Sequence, residues 1–207
     1  MTDQPTSSQA KRLESLWAGD FGDAYTDRNA AVANHRRDFW FNLLDKYPVR
    51  NALEIGCNLG GNLTWIAQKL PPASVHGIDV NLKALRTLRQ NVQDINASFA
   101  LARDLPYRDR WFDLTFTMGV LIHQPESTLP LVMSEIVRCS RKYVFCGEYA
   151  SKETVEVNYR GHEGALFKRD YGKLYAELFP ELRLLETGFL SKDQGWDDVT
   201  WWLFERQ

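Results

Sequence analysis

The chain of 207 residues is poor in several features that whole functional classes require. It has only 3 cysteines, Cys57, Cys139 and Cys146, an odd number whose spacing fits no zinc site. They read as buried thiols in a reducing, cytoplasmic setting, with no metal. It lacks a charge surplus: the formal net charge is −2. A general nucleic-acid binder normally carries a basic excess, so none is expected as a partner. No apolar run is long enough to cross a bilayer. The polar start, MTDQPTSSQ, lacks the apolar centre of a signal peptide, and roughly its first eight residues read as a frayed end. No internal repeat and no low-complexity linker divides the chain. What remains is an ordinary globular composition, 44% hydrophobic and 25% charged, in one domain with a substantial core.

One further absence points to chemistry. Residues 51–63, NALEIGCNLGGNL, read as a short apolar strand that ends near Glu54, a glycine turn and a helix start. Glycine lets bare backbone approach a ligand, and a helix start offers unpaired N–H groups. A dinucleotide site has a middle glycine that admits a pyrophosphate. Here Gly56, Cys57, Asn58, Leu59, Gly60 and Gly61 follow in order, so Asn58 takes that place. Asparagine tolerates left-handed backbone angles, so the turn still forms, but its side chain crowds a pyrophosphate. Glu54 repels a phosphate and attracts an ammonium. Asp79 follows Gly60 by 19 positions (79 − 60), where a carboxylate can accept both hydroxyls of a ribose. A nucleoside cofactor without phosphate, S-adenosylmethionine, fits this set. NAD-dependent oxidation is the rival enzymatic reading, and a non-catalytic S-adenosylmethionine-binding protein the other.

Periodicity organises the rest. Leu63, Ile66, Ala67 and Leu70 recur at helical spacing, and Pro71 and Pro72 stop that helix. Strands are expected over 74–79, 97–102, 112–118 and 142–148. Between them lie a helix from Leu82 to Val92, N-capped by Asn81, and a helix with Leu129, Val132, Met133, Ile136 and Val137 on one face. This alternation predicts an α/β fold, a doubly wound and mostly parallel sheet. Runs at 182–190 and 199–205 predict a C-terminal antiparallel hairpin. A helical lid is expected over 1–50, its second helix spanning 30–47 with Val32, Phe39, Trp40, Leu43, Leu44 and Tyr47 on one face. The main α/β domain covers 51–207, with a polar, substrate-facing insertion near 151–170.

Candidate chemistry gathers at the strand ends. His123, just past the fourth strand, is either a general base or a histidine satisfied by local hydrogen bonds. Glu148 and Tyr149, at the end of the fifth, either act on the acceptor or orient the chain. Tyr159, Arg160, His162, Lys168 and Arg169 either recognise an anionic acceptor or form a solvated charge run. His35, placed mid-helix, and His76 read as structural. Trp196, Trp201 and Trp202 read as core, with a dimer surface as the alternative. Monomer and homodimer both remain open.

Several segments together resemble class I S-adenosylmethionine-dependent methyltransferases, and within them the methylases associated with pseudaminic-acid biosynthesis. They are WAGDFGDAYTDRN, LEIGCNLGGNL, TMGVLIHQP, NYRGHEGALFKRDY and WDDVTWWLFER. The resemblance implies the Rossmann-like methyltransferase fold, with seven strands and a helical lid. It implies that Glu54, Gly56, Cys57, Asn58 and Gly60 wrap the methionine and ribose, and that Asp79 and Val80 meet the ribose and adenine. Leu101 stands where the family commonly has a polar residue reading the adenine amino group. That task falls to the backbone of Leu101 and Ala102, or to Asp104. Met118 and Gly119 lie beside the sulfonium. Trp17, Phe21, Tyr25, Arg28 and Asn29 close over the cofactor, Arg28 pairing with its carboxylate. For Trp17 and Phe21 packing on the sheet is an equal alternative. The implied activity is methyl transfer to N or O of a small, polar, sugar-related or other natural-product acceptor.

Overall fold

A computed structural model describes residues 8–29 and 34–207. Its centre is a strand whose four residues are all buried, β1 (Ala52–Ile55). Such a run suits a strand covered on both faces. β2 (Val75–Asp79) and β4 (Phe112–Met118) flank β1 in parallel, and β3 (Asn96–Phe99) pairs beyond β2. β5 (Ser140–Glu148) runs parallel to β4. The last two strands, β8 (Leu182–Leu190) and β9 (Val199–Arg206), form the expected antiparallel hairpin. β9 lies against β5, so the order is β3-β2-β1-β4-β5-β9-β8. The mostly parallel seven-stranded sheet is as the sequence predicts.

Alternation along the strands sends side chains to two apolar layers. In one, Leu53, Ile55, Val144 and Cys146 meet α6 (Leu129–Cys139) through Val132, Met133 and Ile136. In the other, Ala52, Phe116 and Phe145 meet α5 (Leu82–Asn91) and α3 (Arg36–Lys46). Trp40 anchors α3, with its ring 4.7 Å from Phe116 and 5.3 Å from Phe145. A short helix, α4 (Leu63–Ile66), follows the glycine turn, and α7 (Tyr171–Leu178) precedes β8. Trp196 and Trp202 are buried and Trp201 half-buried, which places them in the packing. No helix among the described residues is long and apolar enough to cross a membrane.

The N-terminal region differs in detail from expectation. Two helices, α1 (Ser8–Ala18) and α2 (Asp20–Arg28), precede α3. Of the expected 30–47 helix, Ala30 and Val32 lie outside the described residues, as do the first seven residues. His35 sits in the turn before α3 rather than mid-helix, its ring 5.0 Å from Trp196. The third strand ends at Phe99, short of the expected 102, because Leu101 turns back to bridge Asp104.

The 151–170 insertion is a second, two-stranded sheet, β6 (Val155–Tyr159) and β7 (His162–Lys168). Arg160 and Gly161 turn it with φ of 52° and 87°, the pair of positive angles a type I′ hairpin turn needs. Arg12 of α1 donates to the Glu163 carbonyl at 2.8 Å, so helix and hairpin are joined.

Asn81 ties α1 and α2 to the sheet. Its Oδ1 caps α5 by accepting from Ala84 N at 2.8 Å. Its Nδ2 donates to the Trp17 carbonyl and to Asp23 Oδ1, at 3.1 and 2.8 Å. We expect Asn81→Ala to lower unfolding free energy by about 1–2 kcal/mol, read from urea melts. It should also speed amide exchange in α1 and α2, whereas an unaltered melt would show the cap to be idle.

Candidate active site

The carboxyl ends of β1, β2 and β4 open onto a cavity of about 690 Å³, roofed by α1 and α2. The glycine turn forms its floor. Gly56 has a φ of +73°, and a Cβ there would meet Val120 Cγ2 at 2.4 Å. Asn58 has a φ of 45°, the left-handed angle expected of it. Its N–H donates to Asp79 Oδ2 at 2.8 Å, and its Oδ1 accepts from the buried Thr26 hydroxyl of α2 at 3.2 Å. Gly60 does not line the cavity. With a φ of +74°, it faces Leu88, which a Cβ would strike at 2.1 Å, so it serves the turn and its packing on α5.

Two carboxylates shape the floor. Asp79 Oδ1 accepts from Asn81 N at 2.8 Å and Oδ2 from Asn58 N, and burial pushes its pKa up against these bonds. Each oxygen keeps further lone-pair capacity. Glu54 is buried at the end of β1, and its Oε1 accepts from Asn62 Nδ2 at 2.5 Å. Asn62 Oδ1 accepts in turn from Arg36 Nη1 and Trp40 Nε1, both at 3.0 Å. Among the described residues Glu54 Oε2 is buried without a partner. Burial raises its pKa to about 8, against the pull of Asn62 and Arg36.

The walls hold most of the expected residues. Cys57, Val80, Leu101, Ala102, Met118 and Gly119 all line the cavity. The Cys57 thiol is buried and pushed well above its usual pKa. Gly119, with a φ of +71°, has nothing within 4 Å of a would-be Cβ. Asp104 does not line the cavity, and its N–H donates to the Leu101 carbonyl. From the roof come Trp17, Tyr25, Arg28 and Asn29. Arg28 lies 5.8 Å from the Tyr25 ring, and Asn29 Nδ2 donates to the Tyr25 carbonyl at 2.8 Å. Trp17 both lines the cavity and packs among Phe21, Tyr25, His123 and Tyr159, whereas Phe21 only packs.

A smaller cavity, about 50 Å³, adjoins the large one. The two share Tyr25, Arg36, Met118, Gly119, His123 and Asp197. His123 is buried at this junction, in a short 3-10 turn, Leu121–His123. Its Nδ1 lies 2.5 Å from the Ala165 carbonyl of β7, which can only accept. The proton is therefore assigned to Nδ1, and Nε2 carries a lone pair. Burial pulls the pKa to about 4, so the ring is neutral at physiological pH.

The other expected residues divide by position. Tyr149 and Tyr159 line the small cavity. Glu148 lines neither cavity and braces the loop instead. Its Oε1 accepts from Val120 N and Leu121 N, and its Oε2 from Ile122 N, at 3.1 to 3.2 Å. Burial raises it to about 7. These bonds are what the chain-orienting alternative requires. Arg160, His162, Lys168 and Arg169 line neither cavity either. Arg160 is exposed at the hairpin turn, and His162 packs on Phe21 at 4.8 Å. Lys168 is half-buried near the hairpin base. Arg169 is buried, donating to the Gln124 carbonyl at 3.1 Å, so it holds the loop after His123. Arg36, Asn62 and Asp197 escaped the sequence reading, because only tertiary contact joins them to Glu54 and the tyrosines.

Residues 52–142 match a family model described as a methyltransferase domain. Methyltransferase GfsG of Streptomyces halstedii is 31% identical over 104 residues, which is 47% of this chain and 36% of that protein. The match thus spans about a third of that relative's length. The magnesium protoporphyrin IX methyltransferase of Synechocystis PCC 6803, solved with bound SAH, superposes with a TM-score of 0.72 at 13% identity, over 95% of this chain and 99% of its own. The 1,6-didemethyltoxoflavin-N1-methyltransferase of Burkholderia thailandensis gives a TM-score of 0.71 at 16% identity, over 99% of this chain and 93% of its own. The fold is the Rossmann-like methyltransferase fold.

Proposed function

We propose that this chain is an S-adenosylmethionine-dependent methyltransferase acting on N or O of a small polar acceptor. The observation that carries the reading is the pair of carboxylates, Glu54 and Asp79, on either side of a glycine turn in one large cavity. The unpartnered Glu54 Oε2 fits an ammonium, and the Asp79 oxygens fit two ribose hydroxyls. Asp79 opposes a pyrophosphate, as does Glu54 once ionised, which disfavours NAD. Val80, Leu101 and Ala102 give adenine an apolar slot and backbone polar groups. Arg28 or Arg36 receives the methionine carboxylate.

When bound, S-adenosylmethionine supplies a methyl carbon already activated by its sulfonium, so the protein mainly aligns and desolvates the partners. Here α1 and α2, joined to the hairpin by Arg12, act as the lid that excludes water. Glu148 fixes the 120–122 backbone, and so the place of His123. The neutral His123 ring then offers Nε2 to an N–H or O–H of the acceptor.

Calorimetry should show one equivalent of S-adenosylhomocysteine bound and no heat from NADH. A homocysteine-release screen across a metabolite panel then finds the acceptor. NADH binding without S-adenosylhomocysteine binding would overturn the reading.

A further inference from the structure

The small cavity adjoins the cofactor's cavity through Tyr25, Arg36, Met118 and Gly119, and adds Tyr149, Tyr159 and Trp196 beyond it. It begins at Met118, Gly119 and His123 and ends at Asp197, which is exposed toward solvent. Its walls are tyrosines 25, 149 and 159. Among the described residues no hydrogen bond engages their hydroxyls, and no ion pair or hydrogen bond engages Asp197. Burial, followed by nearby anionic and phenolic groups, raises Tyr149 well above its usual pKa, and Tyr25 is pushed up to about 12 by burial first and Tyr159 next. The Tyr25 and Tyr149 phenols are therefore neutral donors and acceptors, and all three rings offer π faces.

The other charged group on this wall is Arg36. Its Nη1 donates to Asn62, its guanidinium lies 5.2 Å from the Trp196 ring, and its charge acts on Glu54, while its Nε is buried without a partner among the described residues. The cations expected to hold an anionic acceptor, Arg160, Lys168 and Arg169, lie outside both cavities. Among the described residues, what faces the small cavity without a hydrogen-bond partner is one carboxylate, three phenols, a histidine lone pair and the Nε of Arg36, whose charge is shared with Glu54. Aromatic faces and a carboxylate attract a cation, and His Nε2 accepts an N–H.

We infer that the small cavity holds an amine, and that the acceptor atom is its nitrogen, with Asp197 the residue that selects it. This rests on the methyltransferase reading and narrows its acceptor class. The amine enters as an ammonium held by Asp197 and the tyrosine faces, and gives one proton to solvent on the exposed Asp197 side. The nitrogen lone pair then forms the new N–C bond as the S–C bond breaks, with the S–C electron pair staying on sulfur. Positive charge passes from sulfur to nitrogen, and the product leaves as a methylammonium. Asp197 and the π faces stabilise the charge that develops on nitrogen, while His123 Nε2 orients one N–H.

The test uses the full chain, first titrated with S-adenosylhomocysteine and then, when saturated, with benzylamine, benzyl alcohol and benzoate. These probes differ only in the polar head. Binding is read by calorimetry and by the fluorescence of Trp17 and Trp196, which border the two cavities. Benzylamine should bind at least about tenfold more tightly than either of the others, and Asp197→Asn should erase the difference. Asp197 is exposed and, among the described residues, makes no hydrogen bond or ion pair, its charge acting only at a distance on His35, Tyr25 and Tyr149, so the variant should fold, as a thermal melt will check. Equal affinities, a preference for benzoate, or an amine preference that survives in Asp197→Asn would each overturn the inference. No binding of S-adenosylhomocysteine in the first titration would instead overturn the cofactor reading beneath it.

Discussion

Asp79→Ala should weaken S-adenosylhomocysteine binding by about 100- to 10,000-fold, enough to remove most or all of the heat from a calorimetric titration. A hydrogen bond to a charged group contributes about 1.5–3 kcal/mol, so losing two to ribose costs about 3–6 kcal/mol, or two to four decades in affinity. The substitution also frees Asn58 N and Asn81 N, which the carboxylate now holds at 2.8 Å each. The glycine turn and the start of α5 then lose their common anchor. Asp79→Asn separates the two effects. Its amide keeps one acceptor but presents N–H to the other backbone donor, so an intermediate loss is expected. Thermal melts on both variants check that the sheet survives. An Asp79→Ala protein that is folded and binds as tightly as the parent would end the ribose assignment.

The sheet and the floor of the cavity were legible because they rest on local signals. The expected 112–118 and 182–190 strands match β4 and β8 end for end, and along β4 Phe112, Leu114, Phe116 and Met118 alternate with polar residues at the period of a strand. Glu54, Gly56, Asn58 and Asp79 could be found because the turn and the spacing to the next strand lie within 26 residues of sequence (79 − 54 = 25 positions apart). The insertion was legible as an element but not as a hairpin. Its turn pairs Arg160 with Gly161, and arginine is not a residue that announces a positive φ. Its strand β6 alternates Val155, Val157 and Tyr159 with Glu156 and Asn158, but over only five residues, most of them exposed, which is too short a run to stand out. Roles in the cationic cluster were hidden for a different reason. Arg169 and Lys168 are neighbours in sequence, yet one is buried against the Gln124 carbonyl and the other is not. The Arg36–Asn62–Glu54 chain joins three separate elements, and nothing in the spacing of those residues signals it.

The affinity for S-adenosylhomocysteine should rise with pH up to about 8, by as much as tenfold per unit, and then level off. In the free protein Glu54 is held near 8 by burial, so at pH 6 to 7 it is mainly protonated. Its bond to Asn62 and the charge of Arg36 pull the other way, and Asp79 adds to the burial effect. The ligand's ammonium favours the ionised form, and binding must then expel the proton. Calorimetry at pH 7 in phosphate and in Tris should differ by the heat of nearly one proton taken up by buffer. Glu54→Gln keeps an acceptor for Asn62 but has no proton to release, so its affinity should be lower and flat with pH. Stability of the free protein should move in the opposite direction. An acid whose folded pKa is raised binds more protons folded than unfolded, so its contribution is complete below the unfolded value and is lost as pH rises through the folded one. Glu148, raised to about 7, acts with the same sign. The melting temperature of free protein should therefore fall between pH 6 and 8, and less steeply in Glu54→Gln. Equal heats in the two buffers, with the parent's pH profile matching that of Glu54→Gln, would remove Glu54 from the ammonium site.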